Sequence, residues 1–171
     1  MNNPPPASSR ESHLAALDSS FEVFLEAARR PLLTRIGTGM SLLRAKPGEK
    51  AFSLTEIVYH MLDVERLWQR RMRDLLDGSM KHFQQMDPDK EATEGRYNEK
   101  PYEAGVESLI AARAETHELV RSIPEKQMSL AGIHSRYGEM NIYKILETME
   151  GHDRTHAAQI ERTIGLIRPP F

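Results

Sequence analysis

Four stretches of the chain set apolar residues three and four positions apart, and this repeat limits the fold more than any other feature. Such spacing marks helices that are oily along one side, and helices of this kind bury their stripes against one another. The first run opens at "SSRE", where Ser8 and Glu11 have capping-box spacing, and continues through Leu14, Leu17, Phe21, Phe24, Leu25, Ala28 and Leu32. Pro31 lies inside it and predicts a kink or a break. "RAKPGEK" (Arg44 to Lys50) then reads as a turn. The second helix has the clearest start: in "FSLTEI", Ser53 and Glu56 form a capping box, and Phe52 and Ile57 occupy the hydrophobic-staple positions. Its core face follows as Leu54, Ile57, Val58, Met61, Trp68, Met72, Leu75 and Leu76, and Gly78 stands just past its last turn. A third helix is expected from about Pro101 to Ile123, with Pro124 stopping it, and a fourth from the N-cap Asn141 to about Ile167. No segment reads convincingly as a strand. The expected fold is all-α, a four-helix bundle.

A chain of 171 residues suits one domain with a proper core, expected over residues 10–168. Residues 1–9 read as a disordered, proline-stiffened leader without the charged and apolar regions of a secretory signal. Residues 79 to about 100 are polar, turn-rich and without period, the kind of long connection that covers or builds a site. The 23 basic and 25 acidic residues leave a formal charge of -2, which gives nucleic acid or an anionic membrane no electrostatic footing as a partner. The densest basic run, "QRRMR" (Gln69 to Arg73), reads as a solvated helix face. No stretch approaches the roughly 18 apolar residues that span a bilayer. Cysteine is absent, so disulfides, thiol nucleophiles and cysteine-ligated zinc are excluded, and any metal must sit on His, Asp or Glu. A cytoplasmic location is the default.

In "MEGHDRTHAAQIERT" (Met149 to Thr163), His152 and His156 lie four residues apart on the fourth helix. Both project from consecutive turns on one side, as two imidazoles binding one ion require. Between Met149 and Ile160 the inward positions are His152, Asp153 and His156, with no large aliphatic residue among them. A polar cluster facing a core costs a few kcal/mol unless it has partners or a cavity. Two readings stay open: a metal site, or histidines hydrogen-bonded at a helix seam. A third ligand would come from His60, which borders the apolar sector of the second helix, or from His117, which shares the stripe of Val106, Leu109, Ile110 and Val120 and otherwise reads as a hydrogen-bonded core histidine. His13, His82 and His134 fall in terminal or loop contexts where surface histidines are expected. Asp63 and Asp153 each lie one turn from a histidine and could orient it, act as a base, or serve an interhelical ion pair. Arg113 reads as a bundle salt bridge or as an anion contact for a ligand.

The pieces "FSLTEIVYHMLDVERLWQRRM", "DPDKEATEGRYN", "AARAETHELVRSIP" and "GEMNIYKILETMEGHDRTHAAQI" together resemble the DinB-like group, also described as YfiT-like metal-dependent hydrolases. The resemblance covers roughly residues 45 to 165, in the family's order, with Phe52 where many relatives carry Trp. It implies a four-helix bundle of the DinB/YfiT type in which three histidines bind a divalent ion, often nickel or zinc. Carried onto this chain, those ligands are His60, His152 and His156. It further implies a small-molecule substrate, with either hydrolysis or transfer of a low-molecular-weight thiol as the reaction, and a homodimer, for which Leu67 and Leu166 are leftover apolar residues. A ligand-binding or dimerisation protein without catalysis is the competing reading.

Overall fold

The computed structural model describes residues 9–33 and 40–167. Its long helices are α1 (Arg10–Leu33), α3 (Leu54–Asp77), α5 (Tyr102–Ser122) and α6 (Ile142–Ile167), with short helices α2 (Met40–Leu43) and α4 (Pro88–Glu94) between them. These ends follow from local chemistry. The Ser53 hydroxyl accepts the Glu56 N–H, and the Glu56 carboxylate accepts the Ser53 N–H, so two otherwise orphaned donors are satisfied together. Gly78 closes α3 with φ of 74°, a left-handed conformation that costs glycine nothing. The Asn141 side-chain oxygen Oδ1 caps α6 by accepting the Lys144 N–H at 2.9 Å. At the start of α1 the Ser9 hydroxyl accepts the Ser12 N–H; the Ser8 capping position lies outside the described residues. The helix runs through Pro31 to Leu33 without the expected break there.

The four long helices form a ring in which α1 packs on α6 and α3 on α5, while α3 also meets α6 and α1 meets α5. The buried apolar residues fall into two clusters. One joins Phe24, Ile57, Leu109 and Ile160, and the other joins Leu14, Trp68, Val120 and Ile145. The order in which each helix visits the two clusters shows that α3 and α5 run in the same direction, opposite to α1 and α6. The chain between α3 and α5 must therefore travel back along the whole bundle, which is why that connection is long.

That connection is structured, contrary to expectation. It holds the strand β1 (His82–Phe83), the helix α4 with Asp87 as its N-cap, and a 3-10 turn at Tyr97–Glu99 whose tyrosine is buried. A second correction concerns strands. β2 (Ala131–His134) and β3 (Gly138–Asn141) form an antiparallel hairpin before α6, and β1 joins β2 in parallel, pairing His82 with Ile133. Gly132 is required there, since a Cβ would stand 2.8 Å from the Lys81 carbonyl oxygen and from the Phe83 ring. No helix among the described residues is long and apolar enough to cross a membrane.

Candidate functional site

Between the two apolar clusters lies a polar layer supplied by all four long helices. At its centre is Arg113, which is 3% exposed. Its guanidinium donates to both oxygens of Glu65 at 2.9 Å and to both oxygens of Asp153 at 3.0 Å. Thr116 donates to Glu65 at 2.5 Å and Ser20 to Asp153 at 2.8 Å. Burial pulls the Arg113 pKa down, but the two carboxylates more than offset it and the net shift is upward. Arg113 is thus the salt-bridge hub of the bundle, and it does not line the cavity described below. Asp153 is held in that hub and hydrogen-bonds none of the histidines; burial raises its pKa against the pull of Arg113. Asp63 accepts the Tyr97 hydroxyl and likewise touches no imidazole.

One step round α6 from Asp153, His152 and His156 face outward from this hub and meet His60 of α3. The ring centroids of His60 lie 5.3 Å from His152 and 5.0 Å from His156, and those of His152 and His156 are 4.3 Å apart. One nitrogen from each ring lies within 4.8 Å of the others. A tetrahedral ion with Zn–N bonds of ~2.0–2.1 Å separates its ligand nitrogens by roughly 3.3 Å, so small side-chain rotations close the set. The sequence left Gln159 unnoticed. Its Oε1 accepts the Nδ1–H of His156 at 2.6 Å, which leaves the lone pair on Nε2, the atom 3.1 Å from His152 Nε2. The spacing of three along the helix was the available signal.

Burial, reinforced by the charge on His156, lowers the His60 pKa to about 3. Burial, with His156, His60 and Arg113 adding to it, lowers that of His152 to about 2. His156 is lowered too, by burial first, against the hydrogen bond it donates to Gln159. Three neutral imidazoles result, the protonation state that metal ligation needs. The Nδ1 of His60 is buried without a hydrogen-bond partner among the described residues, which leaves it open to a cation. The chemistry of the residues present therefore fits a divalent ion.

His117 stands apart from this group. Its Nε2 is 2.9 Å from an Asp18 oxygen, without hydrogen-bond alignment, and it is off the cavity. His13 and His134, expected at the surface, are buried. His13 donates its Nδ1–H to the Ser9 carbonyl oxygen and packs on Tyr143, while His82 is exposed as expected.

The three histidines line a cavity of about 690 Å³ between α3 and α6. Its walls include Phe52, which meets His60 edge-on at 5.8 Å, and Leu67, which is half-buried there. Gly151 also lines it, and a Cβ at that position would meet nothing within 4 Å. Farther along α3 from His60 the wall includes Trp68 and Arg71, with His134 and Tyr137 beside them. Arg71 corrects the reading of "QRRMR" as a solvated face: it is 5% exposed, and Gln69 beside it is 3% exposed. Its position three residues after Trp68 puts both on one helical face, and that was the missed signal.

No curated protein matches this sequence. Among solved structures, the fold is similar to YfiT from Bacillus subtilis, described as a probable metal-dependent hydrolase with an unusual four-helix bundle topology. The match has a TM-score of 0.70 at 14% identity and covers 95% of this chain and 91% of that one. The sequence profile of the DinB superfamily matches residues 24–160, most of the length, and the chain belongs to the DinB superfamily.

Proposed function

We propose that this protein is a metal-dependent enzyme in which His60, His152 and His156 hold one divalent ion, nickel or zinc, and that its reaction is transfer of a low-molecular-weight thiol to a small electrophile. The observation that carries the reading is the convergence of three neutral imidazoles in the wall of a cavity large enough for a small molecule. An ion held there supplies Lewis acidity, which lowers the pKa of a thiol or a water brought to its open positions. Gln159 holds the His156 ring with Nε2 aimed at the centre, and Phe52 shields one edge of His60. The cysteine-free chain supplies no thiol, so the nucleophile must enter the cavity from solution.

Hydrolysis is the second reading, favoured by the description of the similar Bacillus structure. It asks for a general base beside the ion. Asp153 is committed to Arg113 and Asp63 to Tyr97, and among the described residues the cavity wall offers only Asp89, exposed on α4. Thiol transfer needs no such base, and that decides the preference. A homodimer belongs to the proposal, supported by Leu33 and Leu166, which are 80% and 70% exposed near the ends of α1 and α6. Light scattering that shows a monomer at high micromolar concentration removes it.

The test begins with metal analysis of protein purified without a nickel column, alongside His60→Ala, His152→Ala and His156→Ala. One ion per chain in the parent and loss in each variant is expected. Loaded protein is then given cellular thiols with a chromogenic electrophile, in parallel with ester and amide substrates. Metal-dependent ester cleavage without thiol conjugation would replace transfer by hydrolysis. Inactivity in both channels would leave a ligand-binding protein.

A further inference from the structure

Arg71 is a buried cation that no carboxylate among the described residues neutralises. Its guanidinium lies over the Trp68 ring, 4.5 Å from the centroid, and 5.5 Å from that of Phe83. Its one hydrogen bond among the described residues goes to the Gln84 carbonyl oxygen, and no carboxylate pairs with it. Arg113, equally buried, has two carboxylates. A guanidinium carries five N–H donors, so most of the Arg71 set is left to the cavity that the residue lines. Burial is costly for a charge without a partner, and the cost shows as a pKa lowered to about 10, with burial the main cause, Arg70 adding to it and Tyr137 opposing.

His134 stands beside it. The imidazole is 2% exposed, and its Nδ1 accepts the backbone N–H groups of Arg136 and Tyr137 at 3.0 and 3.3 Å. Two backbone donors on Nδ1 require the proton on Nε2, so the ring is a neutral donor there. That N–H has no partner among the described residues, and the ring faces Trp68 at 5.9 Å within the same cavity wall. Two unused donors therefore flank one aromatic floor.

We propose that this end of the cavity is an anion subsite in which Arg71, assisted by the Nε2–H of His134, receives the carboxylate of an elongated substrate whose other end reaches the three histidines. The second half of this statement rests on the metal-site reading; the first does not. Arg71 follows His60 by eleven residues on α3, which separates the two anchors by roughly 16 Å along the helix axis. The fork of a guanidinium matches a carboxylate in plane and charge. Arg71 is the one buried cation of the wall, while Lys50, Arg136 and Asp89 there are exposed, so the enclosed charge suits a monoanion better than a phosphate dianion.

Trp68 is the chain's single tryptophan and lies against Arg71, so its fluorescence reports directly on this end of the cavity. Metal-free and metal-loaded protein are titrated with hexanoate, with its neutral isostere hexanamide and with inorganic phosphate. Saturable change with hexanoate in both forms is expected, at least ten-fold tighter than with hexanamide or phosphate. Arg71→Met should weaken hexanoate binding ten-fold or more in both forms. Equal affinity for hexanoate and hexanamide would overturn the proposal without recourse to any variant, so it stays testable even where Arg71→Met does not fold. Binding that requires the ion, or that survives Arg71→Met, would move the carboxylate elsewhere and overturn it as well. Preference for phosphate would replace the carboxylate by a different ligand class. Failure of the metal reading appears separately, as absence of metal uptake, and does not touch the titration of the metal-free protein.

Discussion

Replacing Arg113 by Met keeps much of the side chain's volume but removes the charge that holds Glu65 and Asp153 together in the bundle centre. The two carboxylates are 3% and 1% exposed, so water cannot take over the role of the guanidinium. Both would accept from it no longer, and four charge-assisted hydrogen bonds at 2.9–3.0 Å would be lost. If the stranded pair relieves its repulsion by taking up one proton, a carboxyl with an ordinary pKa near 4 must be protonated at pH 7. At about 1.4 kcal/mol per pH unit this costs about 4 kcal/mol. That agrees with the roughly 3–5 kcal/mol seen when one partner of a buried ion pair is removed. For a chain of this size the melting temperature should fall by about 6–20 °C.

The proton uptake also fixes a sign. A carboxyl whose folded-state pKa is raised binds more protons folded than unfolded, so its penalty shrinks as pH falls toward the unfolded value. Arg113→Met should therefore recover about 2–3 kcal/mol relative to the parent between pH 7 and pH 5. Urea unfolding followed by circular dichroism at both pH values measures this. A loss under about 1 kcal/mol, or one equal at the two pH values, would refute the view of Arg113 as the charged hub.

Chelator-treated protein should lose stability on acidification from about pH 6.5, since the unfolded chain takes up protons that buried His60, His152 and His156 refuse. Each contributes up to about 1.4 kcal/mol per pH unit, for His60 down toward pH 3, and urea midpoints at pH 7.5 and 5.5 check it. Gly105→Ala should cost about 1–3 kcal/mol by thermal unfolding, because the new Cβ would stand 2.9 Å from Tyr59 and Val58 where α5 crosses α3. Gly151→Ala should instead stabilise the protein by up to about 1 kcal/mol, since its Cβ enters open space within a helix, and metal content should not change.

Features decided within a few residues were legible in the sequence. Ser53 with Glu56, Gly78 and Asn141 mark the ends of α3 and the start of α6 because caps are contacts between near neighbours along the chain. The helical stripes of α1, α3, α5 and α6 were readable for the same reason, and they suffice for the bundle. The hairpin was not. β2 and β3 are four residues each, Gly132 contributes no side chain to an apolar alternation, and the parallel partner β1 comes from a connection some fifty residues away. His134 looked like a loop residue because its burial depends on that hairpin and on Trp68 of α3.

The inward cluster at His152, Asp153 and His156 shows where periodicity stops being informative. Successive residues on a helix differ by about 100°, so one polar patch can serve two neighbouring surfaces. Asp153 turns toward Arg113 and completes the centre of the bundle, while His152 and His156 turn toward His60 and the cavity. Read from one helix the three residues form a single polar gap in a greasy face. Only the positions of α3 and α5 divide them into a structural anchor and a candidate metal centre. The anchor and the centre share α6, with Asp153 between the two histidines, so the ion pair that stabilises the bundle also fixes the rotation of the helix that presents both imidazoles. Arg113 thereby acts on the site through backbone orientation, although its side chain touches none of the three rings.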